Sequence, residues 1–123
     1  MNDYAEELIK KAESRCERLY KDDEYFLMID PEYAYEYAKR IIFGRWREAE
    51  KYIMKSPRFI YQYARDVIKG RWEEAEEIIM KSPEFAYFYA KCIIKGRWEE
   101  AEPYILADEH WKPIYEKDVL MRV

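Results

Sequence analysis

Few side chains in this sequence could carry out catalysis. Its one histidine, His110, would have to serve any Ser-His or Cys-His nucleophile system, and it lies beside Trp111 near the end of the chain. No histidine and cysteine stand at the spacing of metal ligands. We therefore expect a surface histidine, no catalytic residue, no metal site, no cofactor and no enzymatic activity.

A pair of glutamates, Glu48 and Glu50, occurs three times and has the composition of an acid–base pair. The other copies are Glu74 and Glu76, and Glu100 and Glu102. Since catalytic pairs are rarely triplicated, a structural role is favoured. On a helix, Glu48 lies within one turn of Arg45 and can pair with it. Glu50 lies near the buried face and is expected to meet a Tyr hydroxyl or an Arg of a neighbouring repeat.

Tyrosines and arginines also recur in rows. The tyrosine rows are Tyr35, Tyr61 and Tyr87, and Tyr37, Tyr63 and Tyr89; the arginine row is Arg45, Arg71 and Arg97. Such rows can stack bases and hold phosphates, so a binder or sponge for a nucleotide signal or single-stranded nucleic acid is one hypothesis. Aromatic residues at helical spacing more often belong to a core, with their hydroxyls reaching the surface.

A repeat of 26 residues organises the chain. Repeat 1 spans 30–55, repeat 2 spans 56–81 and repeat 3 spans 82–107. Residues 1–29 form a degenerate N-terminal copy, in which Tyr20 aligns with Trp46 and Glu24 with Glu50, and residues 108–123 form a C-terminal cap. Three clear copies between two atypical ones are typical of a single stacked domain with capping ends.

Each repeat is predicted to form two helices. Asp30, Ser56 and Ser82 precede a proline, which is the pattern of a helix start. Gly44, Gly70 and Gly96 are expected to close the first helices in the left-handed conformation. The helices are predicted at 30–43, 46–55, 56–69, 72–81, 82–95 and 98–107, with an N-terminal helix over 4–19. Short connections make neighbours antiparallel, so the fold is an all-α, right-handed solenoid similar to a shortened tetratricopeptide array.

The apolar spacing predicts which residues build the stack. They are Tyr35, Tyr61, Tyr87, Trp46, Trp72, Trp98, Ala38, Ala64, Ala90, Glu50, Glu76, Glu102, Gly44, Gly70 and Gly96. Cys16 aligns with Ile42 and is expected to fill the core, whereas Cys92 is expected to face water. Pro103 falls inside a second helix and predicts a kink or a loosened turn.

Composition limits the function classes. The 123 residues carry a net charge of −4, which disfavours a general nucleic-acid binder. No apolar run exceeds six residues, and the N-terminus has no signal-peptide pattern, so neither a membrane span nor secretion is expected. Two cysteines do not make a disulfide framework. A soluble protein of a reducing compartment is predicted.

Outward positions that differ between copies are free to recognise a partner. Phe43 and Phe88 replace polar residues of the sister copies, and aromatic side chains beside charges are typical interface anchors. The predicted partner-binding residues are Arg40, Phe43, Arg65, Asp66, Phe88 and Lys91. An alternative is that the two Phe residues pack against their neighbours or a cap.

The unit Arg71-Trp72-Glu73-Glu74-Ala75-Glu76, followed by Ala86-Tyr87-Phe88-Tyr89-Ala90, resembles a short helical repeat of uncharacterised tailed-bacteriophage proteins. The resemblance covers roughly 30–107 and implies action in the cytoplasm of a bacterial host. It implies a small accessory protein that binds and inhibits a host or anti-phage defence protein. An adaptor role and an oligomeric state both remain open.

Overall fold

The computed structural model describes residues 2–121, in which the chain forms nine helices and no strand. Two helices precede the clear repeats: α1 (Asp3–Arg15) and α2 (Lys21–Met28). The first helices are α3 (Pro31–Tyr37), α5 (Pro57–Tyr63), α7 (Pro83–Tyr89) and α9 (Trp111–Tyr115), each continued by a π-helical turn over Ala38–Ile42, Ala64–Ile68, Ala90–Ile94 and Glu116–Leu120. The second helices are α4 (Glu50–Ile53), α6 (Glu73–Ile79) and α8 (Glu102–Ile105), and the 3₁₀ turns Arg47–Ala49 and Glu99–Ala101 precede α4 and α8.

The helices stack in chain order. Helix α1 and the first helices α3, α5, α7 and α9 lie side by side in that order. Each second helix packs on the first helix of its own repeat, and α4 and α8 also contact the first helix that follows. This arrangement confirms the prediction of an all-α helical-repeat solenoid, in which each repeat buries its apolar surface against its neighbours.

The starts of the first helices follow from their sequence. The Asp30 carboxylate accepts from the Glu32 and Tyr33 N–H groups at 2.9 and 3.2 Å, and the Ser56 hydroxyl accepts from the Phe59 N–H at 3.4 Å. Ser82 makes no such bond. The proline that follows each of these residues occupies the first helical position, where its missing N–H costs nothing.

The ends of the first helices differ from the prediction. The left-handed residues are Phe43, Lys69 and Lys95, with φ of 60°, 62° and 63°, and no glycine has positive φ. Each closes the π-helical turn by a bond from its N–H to the carbonyl five residues earlier, at 2.7–2.8 Å. A Cβ on Gly44, Gly70 or Gly96 would meet nothing within 4 Å. Neither backbone conformation nor crowding explains glycine at these positions.

The core is rich in aromatic and small residues. Both tyrosine rows are buried, as are Trp46, Trp72 and Trp98. Ala38, Ala64 and Ala90 have no exposed surface, consistent with close packing of neighbouring helices. On the C-terminal cap, Tyr115 and Val119 are buried against the last repeat.

Three local predictions, two in the N-terminal copy and one in repeat 3, are wrong. Helix α1 ends at Arg15, and Cys16 is exposed in a left-handed conformation, not buried in the core. Cys16 thus occupies the place of Phe43, 27 residues later, so the N-terminal copy is offset by one residue in this stretch. Consistently, Tyr20 is 84% exposed and does not take the place of Trp46. Pro103 introduces no distortion of its own, since α4, which lacks proline, begins with the same 3₁₀ turn as α8.

Candidate protein-binding surface

Each repeat boundary is held by a hydrogen-bonded cluster of four residues, in which the tyrosine is buried and the arginine reaches the surface. At the first boundary the Tyr63 hydroxyl donates to the Glu50 carboxylate at 2.8 Å and accepts from the Trp46 N–H at 2.7 Å. The Arg45 guanidinium binds the same carboxylate with two bonds of 2.8 Å. The cluster recurs at Arg71, Trp72, Glu76 and Tyr89, at Arg97, Trp98, Glu102 and Tyr115, and at Arg18, Leu19, Glu24 and Tyr37.

The environment fixes the charge state of this cluster. Burial alone would raise the pKa of Glu50, but hydrogen bonds from Arg45 and Tyr63 outweigh it and hold the pKa below its usual value. Burial and the adjacent carboxylate raise the pKa of the Tyr63 hydroxyl. The cluster is therefore a neutral hydroxyl bound to a paired carboxylate. The expected pair of Arg45 with Glu48 is replaced by this arrangement, and Glu48 accepts from the Trp46 indole N–H at 3.1 Å.

The boundary clusters engage the tyrosine and arginine side chains on which nucleotide binding would depend. Both tyrosine rows are buried and offer no open ring face to a base. The row of Arg45, Arg71 and Arg97 is held bidentately by glutamates. These positions hold the repeats together.

A second ladder links the first helices. The Tyr35 hydroxyl donates to Asp66 of the next repeat, and the Tyr87 hydroxyl donates to Asp118 of the cap at 2.5 Å. Between them, the Tyr61 hydroxyl faces the thiol of Cys92, which stands where the other rungs have aspartate. Burial, followed by the neighbouring thiol, raises the pKa of Tyr61. The regular ladder is thus interrupted in its middle rung.

Four of the predicted partner-binding residues make contacts within the chain. Arg40 binds Glu6 and Glu13 at 2.9 Å and so fastens α1 to α3. Arg65 and Asp66 form a bidentate pair at 2.8 Å. Lys91 lies 3.7 Å from the Asp118 carboxylate and over the Tyr87 ring.

The two predicted aromatic anchors differ in exposure. Phe43 is 82% exposed at its left-handed position. It borders a cavity of about 450 Å³ that is also lined by Cys16, Ile41 and Arg40. Phe88 is only half-buried, because its ring lies 5.0–5.8 Å from those of Tyr61, Tyr87 and Trp111. For Phe88 the structure therefore favours the alternative: it packs on its neighbours and on the cap, and presents its remaining surface to a groove.

This groove lies between α5 and α7 and consists of two cavities that share Arg65. The first, about 480 Å³, is lined by Arg58, Tyr61, Gln62, Arg65, Glu84, Phe85 and Phe88. The second, about 190 Å³, is lined by Arg65, Lys69, Gly70, Cys92, Ile93 and Lys95. We call these residues together the α5–α7 groove. It combines an aromatic wall with charged side chains at both ends.

Sequence reasoning found Arg65 and Phe88 in the α5–α7 groove but missed Arg58. The signal was present, because repeats 1 and 3 carry Glu32 and Glu84 at the same position. Tyr61 and Phe85 repeat as aromatic residues in the sister copies, so divergence between copies does not single them out. They become part of the groove only through the packing of α5 against α7.

The remaining chemistry of residues 2–121 is sparse. His110 is exposed, and its ring lies edge-on to Trp111 at 4.8 Å, on the cap residue that also contacts Phe88. Over this part of the chain, no group of three or more His, Cys, Asp or Glu side chains is placed to hold a metal ion. None of the described helices has the length and apolar character to cross a membrane. No protein-family model, curated protein or solved structure matches the chain.

Proposed function

We propose that the protein is a non-catalytic protein-binding module and that its binding site is the α5–α7 groove. One observation carries the proposal: the repeat pattern is broken at three positions that line this one groove. Arg58 replaces Glu32 and Glu84, and Phe88 replaces Glu36 and Gln62. Cys92 stands where repeat 2 and the cap have aspartate and repeat 1 has Arg40. Positions that build the stack must repeat, because every copy meets the same neighbours.

The make-up of the groove favours a polypeptide ligand. Tyr61, Phe85 and Phe88 form an aromatic wall with ring centroids 5.8–6.5 Å apart, and Arg58, Gln62 and Glu84 surround it. An apolar centre with a polar rim is the usual organisation of a protein interface. From Arg58 to Lys69 the groove runs along α5 for about 16 Å, at about 1.5 Å per residue. This length suits about three turns of a helix or about five extended residues.

The setting proposed for this activity depends on the phage resemblance. A small phage protein of this kind would act in the cytoplasm of a bacterial host and inhibit a host or defence protein. That step is an association by origin and is independent of the geometry of the groove.

Site-directed photo-crosslinking tests the location of the site. A photoreactive phenylalanine at Gln62, inside the groove, is expected to capture one specific protein from bacterial lysate. The same group at Glu77, which is exposed on α6, is the matched control and should not capture it. The adduct should disappear when Phe88→Gln or Arg58→Glu is added, and each of these changes introduces the residue of a sister repeat.

Two outcomes would contradict the proposal. One is an adduct that forms equally from Gln62 and Glu77. The other is a Gln62 adduct that survives both groove variants while their circular dichroism spectra remain those of the wild type. Turnover of a substrate that a single point change abolishes in a folded protein would overturn the non-catalytic assignment.

A further inference from the structure

The α5–α7 groove is positively charged in a protein that is negatively charged overall. Arg58, Arg65, Lys69 and Lys95 line it, and Glu84 is its one lining carboxylate; because Asp66 neutralises Arg65, the surplus is two positive charges. The whole chain carries −4. Asp66, which neutralises Arg65, also accepts from Tyr35 of α3 and so lies on the side of α5 away from α7. Asp118 contacts Lys91 and Tyr87 on the opposite side of α7.

We propose that the groove binds an acidic polypeptide segment that carries one large apolar side chain. This inference rests on the proposed function and adds the chemical class of the ligand. The apolar side chain would pack on Tyr61, Phe85 and Phe88, and the carboxylates would lie against Arg58, Lys69 and Lys95. Charge complementarity of this kind selects partners and speeds their association.

Cys92 contributes to the positive charge of this site. At the equivalent positions Asp66 and Asp118 accept a tyrosine hydroxyl and place a carboxylate beside the neighbouring first helix. Repeat 3 has a thiol instead, within the cavity lined by Arg65, Lys69 and Lys95. An aspartate there would neutralise part of the basic surface. The replacement therefore gives up a ladder hydrogen bond and leaves the groove one charge more positive.

The basic residues have different structural explanations. Lys69 and Lys95 end π-helical turns, and a cation is favourable at a helix C-terminus. That explanation does not cover Arg58, which lies in the first turn of α5, where a cation is unfavourable and where the sister repeats carry glutamate. The position of Arg58 thus runs against the helix dipole and supports a role in binding.

Selection from a peptide library tests the ligand class. The full chain is immobilised and exposed to displayed random peptides of about 11 residues, the helical length of the groove. Enriched peptides are expected to carry a net negative charge and one Phe, Trp, Leu or Met. Their affinity should fall with rising ionic strength, because the contacts lie at the surface.

Two variants at one position separate charge from packing. Cys92→Asp introduces the residue of two sister positions and is expected to weaken the selected peptides about fivefold or more, since a like charge is placed beside their carboxylates. Cys92→Ser removes the thiol without adding charge and should bind within about twofold of the wild type. Both variants should melt no lower than the wild type, because the introduced carboxylate restores the ladder bond and serine is of similar size to cysteine.

The outcomes distinguish the two proposals. Enriched peptides that are neutral or basic, or that bind Cys92→Asp as tightly as the wild type, overturn the proposal of an acidic ligand. If those peptides still bind Phe88→Gln more weakly than the wild type, the groove remains the binding site. Enriched peptides that are indifferent to Phe88→Gln and Arg58→Glu, or the absence of any enriched peptide, overturn the proposed function together with this inference. Acidic peptides that are weakened by Cys92→Asp and not by Cys92→Ser support both.

Discussion

Removal of one hydroxyl from the boundary cluster is expected to be costly. In Tyr63→Phe the ring and its contact with Trp72 at 5.0 Å are retained, while two hydrogen bonds are lost. The buried Trp46 N–H would have no acceptor, at about 1–3 kcal/mol. The Glu50 carboxylate would lose a charge-assisted bond but keep the two from Arg45, at about 1.5 kcal/mol. We expect the free energy of unfolding to fall by about 2.5–4.5 kcal/mol.

Urea unfolding followed by circular dichroism measures this effect. Tyr104→Phe is the matched control, because that hydroxyl belongs to an exposed side chain, and it should change stability by less than about 0.5 kcal/mol. A double-mutant cycle with Glu50→Gln separates the carboxylate bond from the bond to the backbone. If Tyr63→Phe unfolds at the same urea concentration as the wild type, the hydroxyl contributes nothing net and the cluster does not hold the boundary.

Three further predictions concern charge and packing. Stability should decline as the pH rises from about 10 to 12, because burial and a neighbouring carboxylate raise the pKa of Tyr37 and Tyr115 to about 12 in the folded protein. The stability that these groups contribute is complete below the unfolded pKa of about 10 and is lost as the pH rises to the folded pKa. A pH series of thermal melts that is flat over this range would contradict this prediction. Arg40→Ala should loosen the packing of α1, so amide hydrogen exchange should be faster over residues 3–15 with little change in α7. Equal protection of α1 in the variant and the wild type would show that the ion pairs do not hold α1 in place. Cys92→Asp should stabilise the fold by about 1 kcal/mol through a new bond from the Tyr61 hydroxyl, and a lower melting temperature would refute that interpretation of the ladder.

Much of the architecture follows from the sequence because the repeat compares equivalent positions directly. Residues that are identical in all copies, such as Trp46, Trp72 and Trp98, are buried because each copy meets the same neighbours. Proline after a short polar residue predicts the helix starts, because both features act within one turn. The placement of Glu50 near the buried face, against a tyrosine of the next repeat, also follows from helical spacing.

Local sequence did not decide how the first helices end. Glycine is the usual left-handed residue, yet here a π-helical turn brings the chain to that conformation one residue earlier, at Phe43, Lys69 and Lys95. The wider hydrogen-bonded ring of each π-helical turn has no established signature among residue propensities, so the position of Gly44, Gly70 and Gly96 did not predict it. The sequence also did not predict the one-residue offset that exposes Cys16, because the N-terminal copy is too degenerate to fix its alignment with the repeats.

The sequence by itself determined the 26-residue period, the pairing of helices and the residues that build the core, because these are consequences of periodic burial. Only the tertiary structure decided which surface is distinctive. Trp111 of the cap covers part of Phe88, and the approach of α5 to α7 joins Arg58, Phe88 and Cys92 in one groove. Phe88 and Cys92 share one helix face at i and i+4, but Arg58 lies 30 and 34 positions before them, and no helical spacing relates it to them. Their proximity arises from packing between successive repeats. The 26-residue period predicts that successive repeats pack together, and the side-chain contacts determine which residues meet.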